Sequence, residues 1–64
     1  SNDTGLLDEV VKKVVLSDPK SVADYKGGRE KVLMAFFGRC MKELRGNCDP
    51  QTLQKALKDF IDSI

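Results

Sequence analysis

One stretch of the sequence decides the fold: residues 29–45, which read REKVLMAFFGRCMKELR. Its large apolar residues recur every three or four positions, and this is the repeat of one face of an α-helix. They fall within one broad arc of a helical wheel: Leu33, Phe36, Phe37, Cys40, Met41 and Leu44. The stretch from Arg29 to Arg45 therefore predicts the helix at the centre of the core.

The chain before this stretch predicts two more helices. Residues 6–16 carry an apolar stripe with charged residues opposite, which indicates an amphipathic helix; the stripe consists of Leu6, Leu7, Val10, Val11, Val14, Val15 and Leu16. A short helix that runs through Tyr25 should then begin at Asp18-Pro19, because Asp caps free N–H groups and Pro fits the first helical position. Gly27-Gly28 interrupts the periodicity, and we expect both glycines to adopt positive φ.

The chain after the central stretch predicts one more helix. Gly46-Asn47 is a suitable C-cap, and Asp49-Pro50 repeats the start signal. The apolar positions that follow have helical spacing: Leu53, Ala56, Leu57, Phe60, Ile61 and Ile64. No segment resembles a strand bounded by hairpin turns. Residues 1–64 are therefore predicted to form a single all-α domain, a small bundle of three main helices plus one short helix.

The length of the chain limits the classes of function. A chain of 64 residues buries only about 60% of its unfolded surface, which leaves little room for a deep active site. No apolar run approaches the ~20 residues of a membrane span, and no signal-peptide pattern is present, so we expect a soluble, intracellular domain without membrane contact. We also expect the fragment to be cytoplasmic and monomeric. Ser1-Asn2, without an initiator Met, is interpreted as a cloning remnant on a fragment of a longer protein.

The residues needed for catalysis or metal binding are scarce. The chain contains no histidine, the commonest general base and metal ligand. Cys40 and Cys48 are too far apart for a zinc knuckle, and Cys40 falls on the apolar side of its helix, so we expect reduced, structural thiols. Gly27-Gly28 before a helix with Arg29 and Lys31 leaves anion contact open but lacks P-loop spacing. No catalytic residue, metal ligand or cofactor is predicted for the fragment itself.

The charges are unevenly distributed along the chain. Eleven basic and ten acidic residues give a net charge of +1, which argues only weakly against nucleic acid. Residues 20–45, however, hold seven basic and three acidic residues, for a net +4. Residues 1–19 carry −2 and residues 46–64 carry −1. The positive charge therefore lies in the middle of the chain.

The central helix has a second face, opposite its apolar arc. Lys31, Ala35, Gly38, Lys42 and Arg45 share this side, and Arg39 flanks it. A glycine inside an exposed helix costs ~1 kcal/mol relative to alanine, so Gly38 indicates that a partner approaches the backbone closely. The flanking cations favour a sugar-phosphate backbone. Packing of another helix or domain on the same face remains an open alternative.

Several segments, in order and spacing, resemble the GatB/YqeY tail domain. They are Pro19-Lys20-Ser21-Val22-Ala23-Asp24-Tyr25, then Gly28-Arg29-Glu30-Lys31, then Gly38-Arg39-Cys40-Met41-Lys42, and finally Arg45-Gly46-Asn47-Cys48-Asp49-Pro50. Three positions depart from the family pattern: Arg39 stands where Gln is usual, Cys48 where Ala is common, and Asp49 where Asn is common. The first departure adds a cation beside Gly38, and the other two leave the turn and cap workable.

The resemblance implies a function for the fragment. The family's tail is found in the GatB subunit of the aspartyl/glutamyl-tRNA amidotransferase, in free-standing YqeY proteins and on some glutaminyl-tRNA synthetases. We therefore expect a non-catalytic tRNA-binding tail that grips the tRNA body by shape and phosphate contacts through Lys26, Arg29, Lys31, Ala35, Gly38, Arg39, Lys42 and Arg45. The parent enzyme would be a glutamine-hydrolysing ligase that uses ATP and Mg²⁺ and whose other subunits are partners of the tail through the parent chain.

Two alternatives accompany this interpretation: the same tail would belong to a free-standing YqeY protein or a glutaminyl-tRNA synthetase, or the chain would be a protein-interaction module. A protein-interaction module would place the same basic face against another subunit or domain. Tyr25 is expected to pack its ring on the core, and stacking on a nucleotide is the less favoured alternative.

Overall fold

The computed structural model describes residues 4–64 and contains four helices in that part of the chain. They are α1 (Thr4–Leu16), α2 (Pro19–Lys26), α3 (Lys31–Glu43) and α4 (Pro50–Asp62). The described residues form no strand. The predicted all-α bundle of three main helices and one short helix is therefore confirmed. The interpretation of Ser1-Asn2 concerns residues outside the described part.

Both Asp-Pro pairs start a helix as predicted. The Asp18 carboxylate accepts hydrogen bonds from the Ser21 backbone N–H at 3.2 Å and from the Ser21 hydroxyl at 2.7 Å. The Asp49 carboxylate accepts from the Thr52 N–H at 2.9 Å and from the Thr52 hydroxyl at 3.0 Å. Each side chain thereby satisfies a donor that the helix itself leaves free.

The central helix is shorter than predicted at both ends. It begins at Lys31 because Gly28, at φ 113°, first closes α2, with the Arg29 N–H bonded to the Asp24 carbonyl at 3.1 Å. Of these two glycines only Gly28 has positive φ; Gly27 has φ −82°, so the expectation for Gly27 was wrong. The helix ends at Glu43 because residues 44–46 form the turn that follows it, with Arg45 at φ 55° and Gly46 at φ 74°. Gly46 of the predicted Gly46-Asn47 cap is therefore part of this turn.

The core lies where the three long helices meet, since α1, α3 and α4 each pack against the other two. Its buried members are Leu7, Val10, Val11, Val14, Val15, Leu33, Phe36, Cys40, Leu44, Leu53, Leu57 and Ile61. Tyr25 is half-buried and packs against this cluster, as expected. Leu6 and Leu16 are 56% and 60% exposed, contrary to the predicted stripe, because on the helical wheel both fall outside the arc of the buried residues of α1, Leu16 nearly opposite it.

No described helix combines the length and apolar character that crossing a membrane would require.

Candidate nucleic-acid interface

The side of α3 that faces away from the core is exposed along its length. Because α1, α2 and α4 all pack against α3, only one strip of this helix remains open. Arg39 and Glu43 are also exposed on α3 and engage charged side chains of the domain. We call the remaining exposed residues of the helix, Lys31, Met34, Ala35, Gly38 and Lys42, the outer face of α3. The strip combines two lysines with small side chains and one thioether. It is therefore positively charged, and at Ala35 and Gly38 it carries nothing larger than a methyl group.

Gly38 leaves the backbone bare at the middle of this face. A Cβ atom built on Gly38 would have no heavy atom within 4 Å beyond its own helix and chain neighbours. Packing within the domain therefore does not require a glycine there, although a glycine inside a helix costs ~1 kcal/mol relative to alanine. The cost of this glycine is therefore not explained by packing inside the domain.

Arg45 follows the C-terminal end of α3 in a left-handed backbone conformation, at φ 55°. Its N–H donates to the Lys42 carbonyl at 3.2 Å, and the Gly46 N–H donates to the Met41 carbonyl at 3.0 Å. This is the Schellman pattern, in which the left-handed position normally holds glycine. An arginine there costs roughly 1–2 kcal/mol, while its charge complements the negative end of the helix dipole. The exposed side chain of Arg45 lies next to the last turn of α3.

Arg39 is engaged inside the domain. Its guanidinium is 3.4 Å from the Asp18 carboxylate and donates to the Ser17 hydroxyl at 3.1 Å. The side chain is still 49% exposed, so a second contact is sterically open. The structure therefore places Arg39 at the junction of α1 and α2, beside the outer face of α3.

Lys26 and Arg29 lie near the start of α3 rather than along it. The Lys26 ammonium, on the last turn of α2, donates to the Ile64 carbonyl at the end of the described chain. Arg29 shares an open groove of about 630 Å³ with Lys31 and Ala35. The structure thus brings Arg29 together with the outer face of α3 and turns Lys26 towards the C-terminal end of α4.

A second groove, of about 420 Å³, opens on the other side of Lys31. We call it the Tyr25 groove; it is lined by Tyr25, Glu30, Lys31, Met34, Gln54 and Lys58, with Leu33 of the core beside them. Met34 is 59% exposed. Sequence reasoning missed Met34, although its spacing from Lys31 and Gly38 places it on their face. It also missed Gln54 and Lys58, for which no local signal exists because helix packing brings α4 beside α3.

The two thiols do not form a reactive centre. Burial raises the pKa of Cys40 to about 11, and burial also raises the pKa of Cys48. The Cys48 thiol lies 3.5 Å from the Met41 sulfur. No group of three or more His, Cys, Asp or Glu side chains within the described residues has a metal-binding arrangement.

Comparison with known proteins identifies one family. A family model described as the GatB domain matches residues 1–61. No solved structure matches the chain.

Curated relatives agree with the family match. The chain is 46% identical over 57 residues, 89% of its length, to the GatB subunit of the aspartyl/glutamyl-tRNA(Asn/Gln) amidotransferase of Carboxydothermus hydrogenoformans. It is 39% identical over 61 residues, 95% of its length, to the same subunit of Alkalilimnicola ehrlichii, and 36% identical over all 64 residues to that of Clostridium tetani. The matched region is 12% to 13% of the length of these relatives.

Proposed function

Because this chain belongs to the GatB domain family, we propose that it is a non-catalytic tRNA-binding tail domain of an amidotransferase GatB subunit. In this proposal the parent enzyme acts in the cytoplasm and converts Glu-tRNA(Gln) or Asp-tRNA(Asn) to the amide form, with ATP and Mg²⁺ used by other domains and subunits. The tail holds the body of the tRNA while that chemistry proceeds elsewhere.

The observation that carries the proposal is the bare backbone at Gly38 between Lys31 and Lys42 on an exposed helix face. A phosphate-sugar backbone laid across this strip reaches the helix surface at Gly38 and Ala35, and the lysines on either side neutralise its phosphates. Arg45 extends the positive charge beyond the end of α3, and Arg29 extends it beyond the start. Base edges of A-form RNA lie in a deep major groove, so such a face recognises shape and phosphate position.

The small number of cations implies weak binding by the isolated domain. With three or four phosphates neutralised, log K should fall against log salt with a slope of roughly −2 to −4. Affinity on the order of tens of micromolar suits a tethered module, because attachment to an enzyme already on the tRNA raises the local concentration towards the millimolar range.

The test is a titration of folded tRNA into the isotopically labelled 64-residue chain, followed by NMR at several salt concentrations. We expect shifts at the outer face of α3 and their loss as salt rises. Lys42→Glu should weaken binding at least about tenfold, whereas Lys12→Glu, the same charge change on α1, should have a much smaller effect. Equal effects of the two variants, or shifts confined to α1 and α4, would contradict the assignment.

A second candidate function is docking of another protein domain on the outer face of α3. The observation that favours it is Met34, which is 59% exposed beside two small residues, as in many helix-packing surfaces. A protein interface of this kind would form equally well at high and low salt, so the same salt titration separates the two candidates.

A further inference from the structure

The Tyr25 groove lies directly beside the outer face of α3, with which it shares Lys31 and Met34. It opens between the end of α2, the start of α3 and the middle of α4. Phosphate contacts along the outer face of α3 use Lys31 but leave Tyr25, Gln54 and Lys58 of this groove without a role. Its lining therefore calls for a separate explanation.

The apolar part of the lining suits a flat ring. Tyr25 packs partly against the core and contributes to the groove wall, while Met34 is 59% exposed beside it. Phosphate gains nothing from an aromatic ring or a thioether. A nucleobase, in contrast, stacks on an aromatic side chain and packs well against a polarizable sulfur.

The polar residues of the lining include groups that suit a phosphate and groups that suit the edge of a base. Lys31 and Lys58 contribute cations from α3 and α4, and Gln54 contributes an amide that both donates and accepts. Glu30 places a carboxylate in the same groove, which would repel a phosphate held inside. The same carboxylate accepts hydrogen bonds from the N–H donors of a base edge.

We propose that the Tyr25 groove receives one unpaired nucleobase of the bound RNA. The base stacks against Tyr25 and Met34, its edge meets Gln54 and Glu30, and its flanking phosphates pair with Lys31 and Lys58. This inference rests on the proposed function and adds to it a contact that only an unstacked nucleotide can make. The outer face of α3 would then recognise the shape of the RNA backbone, while the Tyr25 groove would bind a nucleotide whose base is unpaired.

The chain provides its own probe for this contact. Tyr25 is the single tyrosine and the chain has no tryptophan, so its emission at the tyrosine wavelength reports on this groove. The titration uses an unstructured RNA of about 12 nucleotides, the same strand annealed to its complement, and the same backbone with abasic riboses. Free tyrosine amide in parallel samples corrects for light absorbed by the RNA.

We expect saturable quenching of Tyr25 by the single strand only. The duplex and the abasic strand should bind, as detected by anisotropy of a terminal dye, with no quenching. Met34→Ala and Gln54→Ala should weaken single-strand binding roughly 5- to 20-fold. Gln54→Ala, which lies on α4 and outside the outer face of α3, should leave duplex binding within about twofold. Matched controls are Leu16→Ala, an exposed apolar residue on α1, and Gln51→Ala on the first turn of α4.

The outcomes distinguish this inference from the proposed function. Equal quenching by duplex and single strand, or losses in Met34→Ala and Gln54→Ala no larger than in the controls, would overturn the base-binding groove. Salt-dependent binding that still depends on Lys42 would leave the proposed function standing in that case. Loss of all RNA binding by the unmodified chain would overturn both.

Discussion

Arg39 lies against Asp18, with the guanidinium Nη1 3.4 Å from the carboxylate Oδ2. The same carboxylate caps α2 through the N–H and hydroxyl of Ser21. One aspartate side chain therefore joins the start of α2 to the middle of α3. Arg39, which the sequence suggested as an RNA contact, has a structural partner within the domain as well.

This arrangement predicts a pH dependence of stability. Hydrogen bonds from the Ser21 hydroxyl and N–H hold the pKa of Asp18 below its ordinary value of 3.8, with a smaller contribution from Arg39. A carboxylate with a lowered native pKa contributes stability that is complete above its unfolded pKa and is lost as the pH falls through the native value. Asp18→Asn keeps a capping oxygen but does not ionise, so its stability should fall less steeply below about pH 4. Denaturant unfolding from pH 2 to 7 measures this, and parallel curves for the two proteins would refute it.

Gly38→Ala should separate folding from binding. The added methyl group meets no atom of the domain, so the free energy of unfolding should rise by about 1 kcal/mol. The same methyl group stands between the backbone and an approaching RNA, so tRNA affinity should fall. Gly5→Ala is the matched control, since Gly5 is also helical with open space around it, and it should leave affinity unchanged. A Gly38→Ala variant that binds as tightly as the original chain would show that the glycine does not serve close approach.

Replacing Arg45 should have opposite effects on folding and binding, because its backbone strain lowers the stability of the domain and its charge raises the affinity for tRNA. Arg45→Gly removes the cost of a left-handed non-glycine residue and should raise the free energy of unfolding by roughly 1 kcal/mol. Arg45→Ala also removes the charge but keeps the unfavourable φ, so it should not gain this stability. Both variants should lose tRNA affinity equally, and the salt slope should become shallower by about 1 if Arg45 contacts a phosphate. Thermal unfolding and binding isotherms at three salt concentrations measure both quantities.

The order and type of the helices could be predicted because their signals are local. Asp18-Pro19 and Asp49-Pro50 mark two starts, and the periodic apolar residues indicate which faces are buried. The predicted ends of α3 were each wrong by two residues, because backbone turns at Gly28 and Arg45 determine where the helix begins and ends. No sequence signature predicts an arginine in a left-handed turn. The sequence could not predict that Lys31 and Lys58 line the same groove, since this depends on how α4 packs against α3.

The two cysteines should differ in reactivity towards thiol reagents. Cys40 is fully buried, and burial raises its pKa to about 11; Cys48 is only half-buried, although burial raises its pKa too. Because the thiolate is the reacting species, native protein at pH 8 should be labelled first at Cys48, and at Cys40 only when the core opens. Mass spectrometry of a time course with iodoacetamide should show one fast and one slow addition, and both should become fast in denaturant. The variant Cys48→Ala should retain only the slow phase, and a fast phase in that variant would mean that the α3 side of the core opens readily without denaturant.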